Sequence, residues 1–252
     1  MRIVPDNWLS GIFGYPSFKI EEEEDSSGIS NTVTSDRIIH SSGGESAFFY
    51  ARISTNRIDT MRSLLKAGFY VVDVSVTFER KPDYGPVPLK NKGITVRRSV
   101  QSDRKGVIEI ASTSFVFSRF HQDPDIGVRL ANEVKRAWME SYFRGERGSH
   151  LLVATREEKP VGFLAVVSAA KGSSRIMTID LVGVGKAHQR HGIGRVLVET
   201  FISDSAGKCE LMRVGTQAAN IPSINLYEEL GFRVAETGYV LHAHVRDGKV
   251  LR

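Results

Sequence analysis

The stretch "AHQRHGIGRVLVETF", residues 187–201, constrains this chain more than any other. Gly192 and Gly194 stand one residue apart, and without side chains they let the backbone come close to something bulky. Behind them Ile193, Val196, Leu197 and Phe201 recur at i, i+3, i+4 and i+8, which predicts an amphipathic helix. A helix that starts at a glycine turn presents unpaired N–H groups and the positive end of its dipole. That arrangement is an anion site, most often for phosphate.

Two nucleotide motifs are excluded on spacing. A dinucleotide fingerprint needs G-x-G-x-x-G, but Leu197 occupies the third position and no acidic strand end follows at the right distance. "VGVGKAH" has a P-loop look, yet Ala187 replaces the metal-binding hydroxyl and Asp180 stands where the first glycine is required.

Length and composition describe an ordinary globular protein. The 252 residues suit two modest domains or one large one, with 41% hydrophobic and 25% charged residues. No apolar run reaches the roughly 18–20 residues a membrane helix needs, and "MRIVPDNWLSGIF" lacks the apolar core of a secretory signal. One cysteine, Cys209, forbids an internal disulfide and is expected to be buried. A reducing cytoplasm is the simplest home. Residues 1–92 hold 11 Lys and Arg against 12 Asp and Glu, and the remainder holds 23 against 17. The basic second half suits a polyanionic small ligand. No Lys/Arg block interleaved with aromatics points to nucleic acid.

Along the chain, strands are expected at 48–55 and 70–78 around a helix at 57–69 that Gly68 stops. "KPDYGPVPLKNKG" (81–93) is the best boundary, dividing an N-terminal domain, 1–92, from a second domain, 93–252. The acidic run "EEEED" (21–25) and the Ser/Gly-rich "SSGIS" and "SSGGES" are expected to be loops. The second domain reads strand (94–100), two helices (about 103–115 and 126–144) flanking the loop "VFSRFHQDPD", and a hairpin turning at Lys159-Pro160. The strand 174–185, the glycine turn and its helix, and then strand, helix and strand complete it. Hairpins mixed with crossovers imply a mixed α/β sheet. A faint repeat relates "RIDTMRSLLKAGFYVVDVSVTF" to "IPSINLYEELGFRVAETGYVLH", with Gly68 aligned on Gly231 and Leu64 on Tyr227.

With these residues in view, 94–242 resembles the GNAT acyl-CoA N-acetyltransferases. Gln189-Arg190-His191-Gly192-Ile193-Gly194 matches that family's R/Q-x-x-G-x-G/A in full. "NIPSINLYEELGF" matches its N-x-x-(A/S)-x-x-x-Y-x-x-x-G-F, in the right order and at the right separation. "VGTQAANIPSINLYEELGF", "IFGYPSFKI", "ARISTNRIDTMRSLLKAGFYVVDVSVTFE" and "SRFHQDP" look like the bacterial dTDP-fucosamine acetyltransferase group. The resemblance implies a mixed, twisted α/β sheet of the GNAT type with a smaller N-terminal α/β domain, expected to be a degenerate GNAT-like half that contributes to acceptor binding. It implies an acetyl-CoA-dependent transfer to the amine of a nucleotide-linked amino sugar, in cell-surface polysaccharide biosynthesis. Acetylation of a protein N-terminus, a lysine or a small free amine is the alternative within the fold, and a non-catalytic acetyl-CoA-binding module the alternative outside enzymology. A homodimer is a family-level guess.

Acetyl transfer needs a held donor, a neutral amine, a stabilised oxyanion and a protonated leaving thiolate. Backbone N–H groups of Arg190 to Gly194 are expected to hold the diphosphate, with Arg195 as a nearby cation and Gln189 opening the turn. The resemblance implies that Leu181, Val182, Gly183 and Val184 pair with pantetheine amides, and that Asn220 and Ser223 also lie on the donor. An N–H near Leu181 or Val182 would face the oxyanion. Gly183 is a candidate bulge, and Asn220 a candidate N-cap. Tyr227 is the candidate general acid, a phenol of pKa near ~10 facing a thiol near ~8.5. Asp180 is the candidate base, with a water chain as the alternative. Phe13, Arg119, His121 and Gln217 are expected at the acceptor. His242 and His244 share a strand face but lack an evident third ligand, so no metal is expected.

Overall fold

The computed structural model describes residues 1–22, 32–82, 93–171 and 174–251. Most of the expected boundary at 81–93, the "SSGIS" loop and three residues of the "EEEED" run lie outside the described residues. In chain order the elements are β1 (Arg2–Pro5), α1 (Asn7–Phe13), β2 (Ser17–Glu21), α2 (Ser35–Ser41), β3 (Ala47–Ser54), α3 (Ile58–Lys66) and β4 (Tyr70–Arg80). Then come β5 (Thr95–Arg98), α4 (Arg104–Thr113), α5 (Arg119–Gln122), α6 (Val128–Phe143), β6 (His150–Arg156), β7 (Lys159–Lys171) and β8 (Ser174–Val184). The chain closes with α7 (Ile193–Ser205), β9 (Leu211–Gln217), α8 (Ile221–Glu229), β10 (Arg233–Arg246) and β11 (Lys249–Val250).

One mixed sheet runs through both halves in the order β1-β2-β3-β10-β4-β9-β8-β7-β6-β5, with β11 on β10. Its centre is an exchange. β4, from the first half, lies between β9 and β10, and β10, from the second, lies between β3 and β4. Each half thus completes the other's sheet.

Strand alternation sorts the core into two layers, because neighbouring side chains leave a strand on opposite faces. Phe49, Ala51 and Ile53 of β3 pack with Leu64 of α3, while Phe48 and Tyr50 join Leu9, Phe13 and Phe120 on the other side. In β7, Leu164 and Val166 meet Leu197 and Phe201 of α7, whereas Phe163 and Ala165 meet Val107 of α4 and Met139 of α6. Helices α3, α7 and α8 therefore cover one face, and α1, α4, α5 and α6 cover the other. Buried side chains such as Phe201 and Phe163, both 0% exposed, each contribute roughly 1.5–3 kcal/mol of burial.

Two local expectations shift. The hairpin turns at Glu157-Glu158, with φ of 49° and 61°, and Lys159 already pairs with Arg156. Two successive positive φ values make the type I′ turn whose twist suits a two-residue hairpin. The stretch "VFSRFHQDPD" is not wholly loop, because Arg119–Gln122 forms the single turn α5. The stop at Gly68 holds: its φ is +98°, and a Cβ there would lie only 2.6 Å from Val250 Cγ1.

Candidate active site

The parallel pair β8–β9 is in register only from Ile176–Leu211 to Ile179–Val214. Beyond that level β8 continues to Val184 on β7, and β9 continues to Gln217 on β4. The two strands therefore part, and among the described residues the β8 edge from Asp180 to Val184 has no strand partner on its β9 side. The register slip that opens them sits where Ala165 faces Leu181 and Val166 faces Ile179, leaving Asp180 as the extra residue. The bulge is thus at Asp180 and not at Gly183. Gly183 is a packing glycine, since a Cβ there would meet the Phe163 ring at 2.8 Å.

The glycine turn closes the far end of the cleft. Arg190 and Gly192 take positive φ, +63° and +75°, and α7 starts at Ile193 with no side-chain cap. Its first N–H groups are left for a ligand. Gln189 anchors the turn by donating from Nε2 to the Val184 carbonyl at 3.1 Å, and His191 Nδ1 lies 2.7 Å from the Gln189 carbonyl. A Cβ on Gly194 would come no nearer than 3.9 Å to Leu226 and Val184, so the space over the turn is open. An unpaired strand edge and a bare anion cradle at its end fit an amide-bearing chain that ends in a diphosphate. Arg195, expected as a cation for that diphosphate, pairs instead with Glu229 and lies 3.9 Å from Glu199.

Tyr227 lies on α8, 2% exposed, with its ring between Phe78 and Phe232 at 5.8 and 6.0 Å. Burial pushes its phenol above the ordinary tyrosine range, so it stays protonated. Its hydroxyl has no hydrogen-bond partner among the described residues. Asn220 occupies the N-cap position of α8 without capping through its side chain; its Nδ2 donates to Thr216 Oγ1 on β9 at 3.1 Å. Ser223 follows in the first turn, its N–H on the Asn220 carbonyl at 3.1 Å.

The expected base is differently engaged. Asp180 Oδ2 accepts from Trp138 Nε1, Tyr142 Oη and Arg147 Nε, each at 2.8 Å, and Oδ1 accepts from Arg147 Nη2 at 3.0 Å. Burial would raise its pKa, but these donors outweigh it and hold the carboxyl below the usual range. A carboxylate so well satisfied is a poor proton acceptor, and it ties the bulge of β8 to α6.

A different carboxylate stands unsatisfied. Asp73 on β4 is 9% exposed and its Oδ2 has no partner. Burial pushes its pKa up to about 6, against a backbone hydrogen bond from Val74 and the charge of Arg52. Asp73 and Arg52 flank Val240 across the exchanged strands, on the face that carries α6. In the sequence its one signal is an acidic residue inside an otherwise apolar strand, which alternation alone explains.

The acceptor expectations divide. Phe13 is 8% exposed and packs against Phe48, Tyr15 and Phe120, so it is core. His121 is held by Ser118 Oγ at 2.6 Å and Asn132 Oδ1 at 2.9 Å. Gln217 ends β9 opposite Ser75. Arg119 lies over the rings of Tyr50 and Phe120, 4.0 and 4.2 Å from their centroids, and donates from Nη1 to His242 Nε2 at 3.0 Å. Burial, then the charge of Arg52, bring it down to about 9.

His242 and His244 do have a third neighbour, which the sequence hid: Asp123. Its Oδ2 lies 2.5 Å from His242 Nδ1 and 3.0 Å from His244 Nε2, and Oδ1 accepts from Tyr70 at 2.7 Å. Ligands around a tetrahedral metal stand roughly 3.3 Å apart, so these contacts are hydrogen bonds. Burial takes His242 down to about 3. The neutral ring donates to Asp123 and accepts from Arg119, which fixes the guanidinium.

Residues 107–232 match the model of the acetyltransferase (GNAT) family. The chain belongs to that family. The spore coat polysaccharide biosynthesis protein SpsD of Bacillus subtilis (strain 168) is 29% identical over 143 residues, 56% of this chain and 47% of that one. The chain thus matches about half the length of that curated relative. The tandem GNAT protein from the clavulanic acid biosynthesis pathway superposes with a TM-score of 0.62 at 13% identity, covering 92% of this chain and 76% of the other. A GCN5-related N-acetyltransferase from Sphaerobacter thermophilus superposes at 0.56 with 16% identity, over 84% and 64%. These two likenesses are of fold. The family uses acetyl-CoA as co-substrate. No helix among the described residues is long and apolar enough to cross a membrane.

Proposed function

We propose that this GNAT protein transfers an acetyl group from acetyl-CoA to the amine of a nucleotide-linked amino sugar. The parting of β8 from β9 above a bare glycine turn carries the reading. The unpaired backbone of Leu181 to Val184 binds the pantetheine, and the N–H groups of Arg190 to Gly194 bind the diphosphate. Asn220, held on Thr216, and Ser223 border the same cleft. A polysaccharide biosynthesis relative and the narrower sequence resemblance support a sugar acceptor.

The proton inventory follows from the buried acids. A sugar ammonium gives its proton to Asp73, the neutral amine attacks the thioester carbonyl, and the collapsing intermediate expels a thiolate that Tyr227 protonates, while the surplus proton on the new amide nitrogen returns to the Tyr227 phenolate. A β8 N–H beside the bulge stabilises the oxyanion. Asp180 acts as a positioning residue for the bulge, rather than as the base.

The test is free-thiol release from acetyl-CoA with dTDP- and UDP-linked 4-amino-4,6-dideoxy sugars, polyamines and a short peptide. Turnover confined to one or more amino-sugar nucleotides is expected. Turnover on peptide or polyamine alone would sink the sugar reading and leave acetyl transfer standing.

A further inference from the structure

Arg52 on β3, Arg119 on α5 and Lys135 on α6 converge on the sheet face that carries α6, and they lie close enough for mutual repulsion to be felt at Arg119 and Lys135. Among the described residues, no carboxylate lies within ion-pair distance of any of the three, although Asp6 and Asp123 act on Arg119, and Asp180 on Lys135, from farther away. Elsewhere the molecule neutralises its arginines: Arg97 pairs with Asp103, Arg104 with Glu140, Arg136 with Glu133 and Arg147 with Asp180.

Lys135 is the most telling member. It is 6% exposed, and its ammonium has no hydrogen-bond or ion-pair partner among the described residues. It lies 4.9 Å from the Phe115 ring centroid and 4.8 Å from that of Trp138. Those rings offer a cation–π contact but cannot replace the hydration an ammonium loses on burial. Both neighbours also fix its place. Phe115 packs over Gly183, and Trp138 donates to Asp180, so Lys135 overlooks the parting strand. Arg119 is already oriented by His242 and two rings, and a planar guanidinium held in place suits two oxygens of a phosphate.

We infer that Arg52, Arg119 and Lys135 form the seat of a phosphate or diphosphate group carried by the acceptor. The inference rests on the reading that an amine acceptor meets the donor on this face. Three unmatched cations, one of them nine-tenths buried, are repulsive alone and become complementary around an anion. The acceptor is thereby of the sugar-phosphate or nucleotide-sugar class, its anionic group lying in the seat while its amine reaches the cleft.

Inorganic pyrophosphate is the probe, with saturating CoA added so that the glycine turn is already filled. Binding to the CoA-loaded wild type is expected by calorimetry, weakened at least tenfold in Lys135→Met and Arg52→Gln and partly restored in Lys135→Arg. Arg52 is exposed, so its variant tests the seat without touching the core. With a nucleotide amino sugar, both variants are expected to raise the acceptor KM and leave the acetyl-CoA KM unchanged. A sugar 1-phosphate amine that matches the nucleotide sugar in KM would assign the seat to phosphate alone. Equal pyrophosphate binding in wild type and both variants would overturn the seat, whatever the enzyme acetylates. An acceptor KM for the nucleotide amino sugar that neither variant changes would overturn it too, and leave the acetyl transfer intact. Pyrophosphate binding that depends on the three cations, with no thiol release from any amine, would keep the seat and sink the functional reading instead.

Discussion

The unit β2–β3–α3–β4 and the unit β8–β9–α8–β10 are built alike and equipped differently. In each, a parallel strand pair is followed by a helix on the same sheet face, a glycine at positive φ and a long strand given to the other unit. Gly68 and Gly231 hold equivalent corners, with φ of +98° and +81°, and Leu64 and Tyr227 are equivalent buried side chains, 0% and 2% exposed. Among the described residues, only the second unit has a glycine turn ahead of a helix and a strand pair that parts. The first supplies Arg52 and Asp73, each paired with Val240 of β10 on one side and lying just beyond the β2–β3 and β4–β9 registers on the other. On the proposed reading, one scaffold gives a donor cleft in one copy and acceptor side chains in the other.

The largest test of that division sets Tyr227→Phe against Leu64→Ala. Removing the phenol alone should lower kcat by ~10²–10⁴, the usual worth of a general acid. The Tm should barely move, because the ring contacts with Phe78 and Phe232 survive. Leu64→Ala should do the reverse, costing about 2–5 kcal/mol of stability with kcat kept in the folded fraction. Chemical denaturation and steady-state kinetics on both variants decide it.

Asp73→Asn comes next. A carboxyl with pKa about 6 must be deprotonated to accept a proton, so wild-type kcat/KM should fall as pH drops through 6. The Asn variant should lose that limb and about 10² in rate. Stability should move the opposite way. The native state holds its proton to higher pH than the unfolded chain, so this group's contribution shrinks as pH rises from about 4 to about 6. The variant should therefore melt higher than wild type at pH 7. A variant that melts lower, or keeps the acid limb, would remove Asp73 from the mechanism.

Asp180→Asn separates a positioning role from a basic one. Its carboxyl is held low, so its stabilising effect is present above the usual aspartate range and lost as pH falls toward it. The substitution should lower Tm at pH 7 and erase that acid dependence. The limb of kcat/KM assigned to Asp73 should persist near pH 6.

The smallest effect compares the two corner glycines. Gly231→Ala should cost about 1–2 kcal/mol for its left-handed backbone, since the nearest atom is the flexible Arg80 side chain at 3.6 Å. Gly68→Ala should cost more, because its Cβ would also press Val250 at 2.6 Å. Equal melting shifts would show that β11 yields freely.

The proposed donor half of the site could be read from the sequence because its residues are local. Six consecutive residues make the turn from Gln189 to Gly194, and the spacing from Asn220 to Phe232 puts Tyr227 on the inner side of one short helix. The proposed acceptor half could not. Asp73, Arg52, Lys135 and Asp123 are isolated polar residues in segments whose periodicity reads as ordinary strand or helix. Arg119 was singled out from the sequence and joins the proposed seat, whereas Phe13 packs in the core and His121 of α5 is held by Ser118 and Asn132.

By itself the sequence determined the alternation of elements, the anion cradle and the phenol, since each depends on residues within a few turns of one another. The tertiary structure decided which carboxylate is free and which is spent. It also brought three cations from separate segments, none in an ion pair among the described residues, to one sheet face, and made the two units exchange their last strands. Those outcomes depend on pairing across more than a hundred residues, and there desolvation and the choice of partner, rather than residue type, set the charge and reactivity of a side chain.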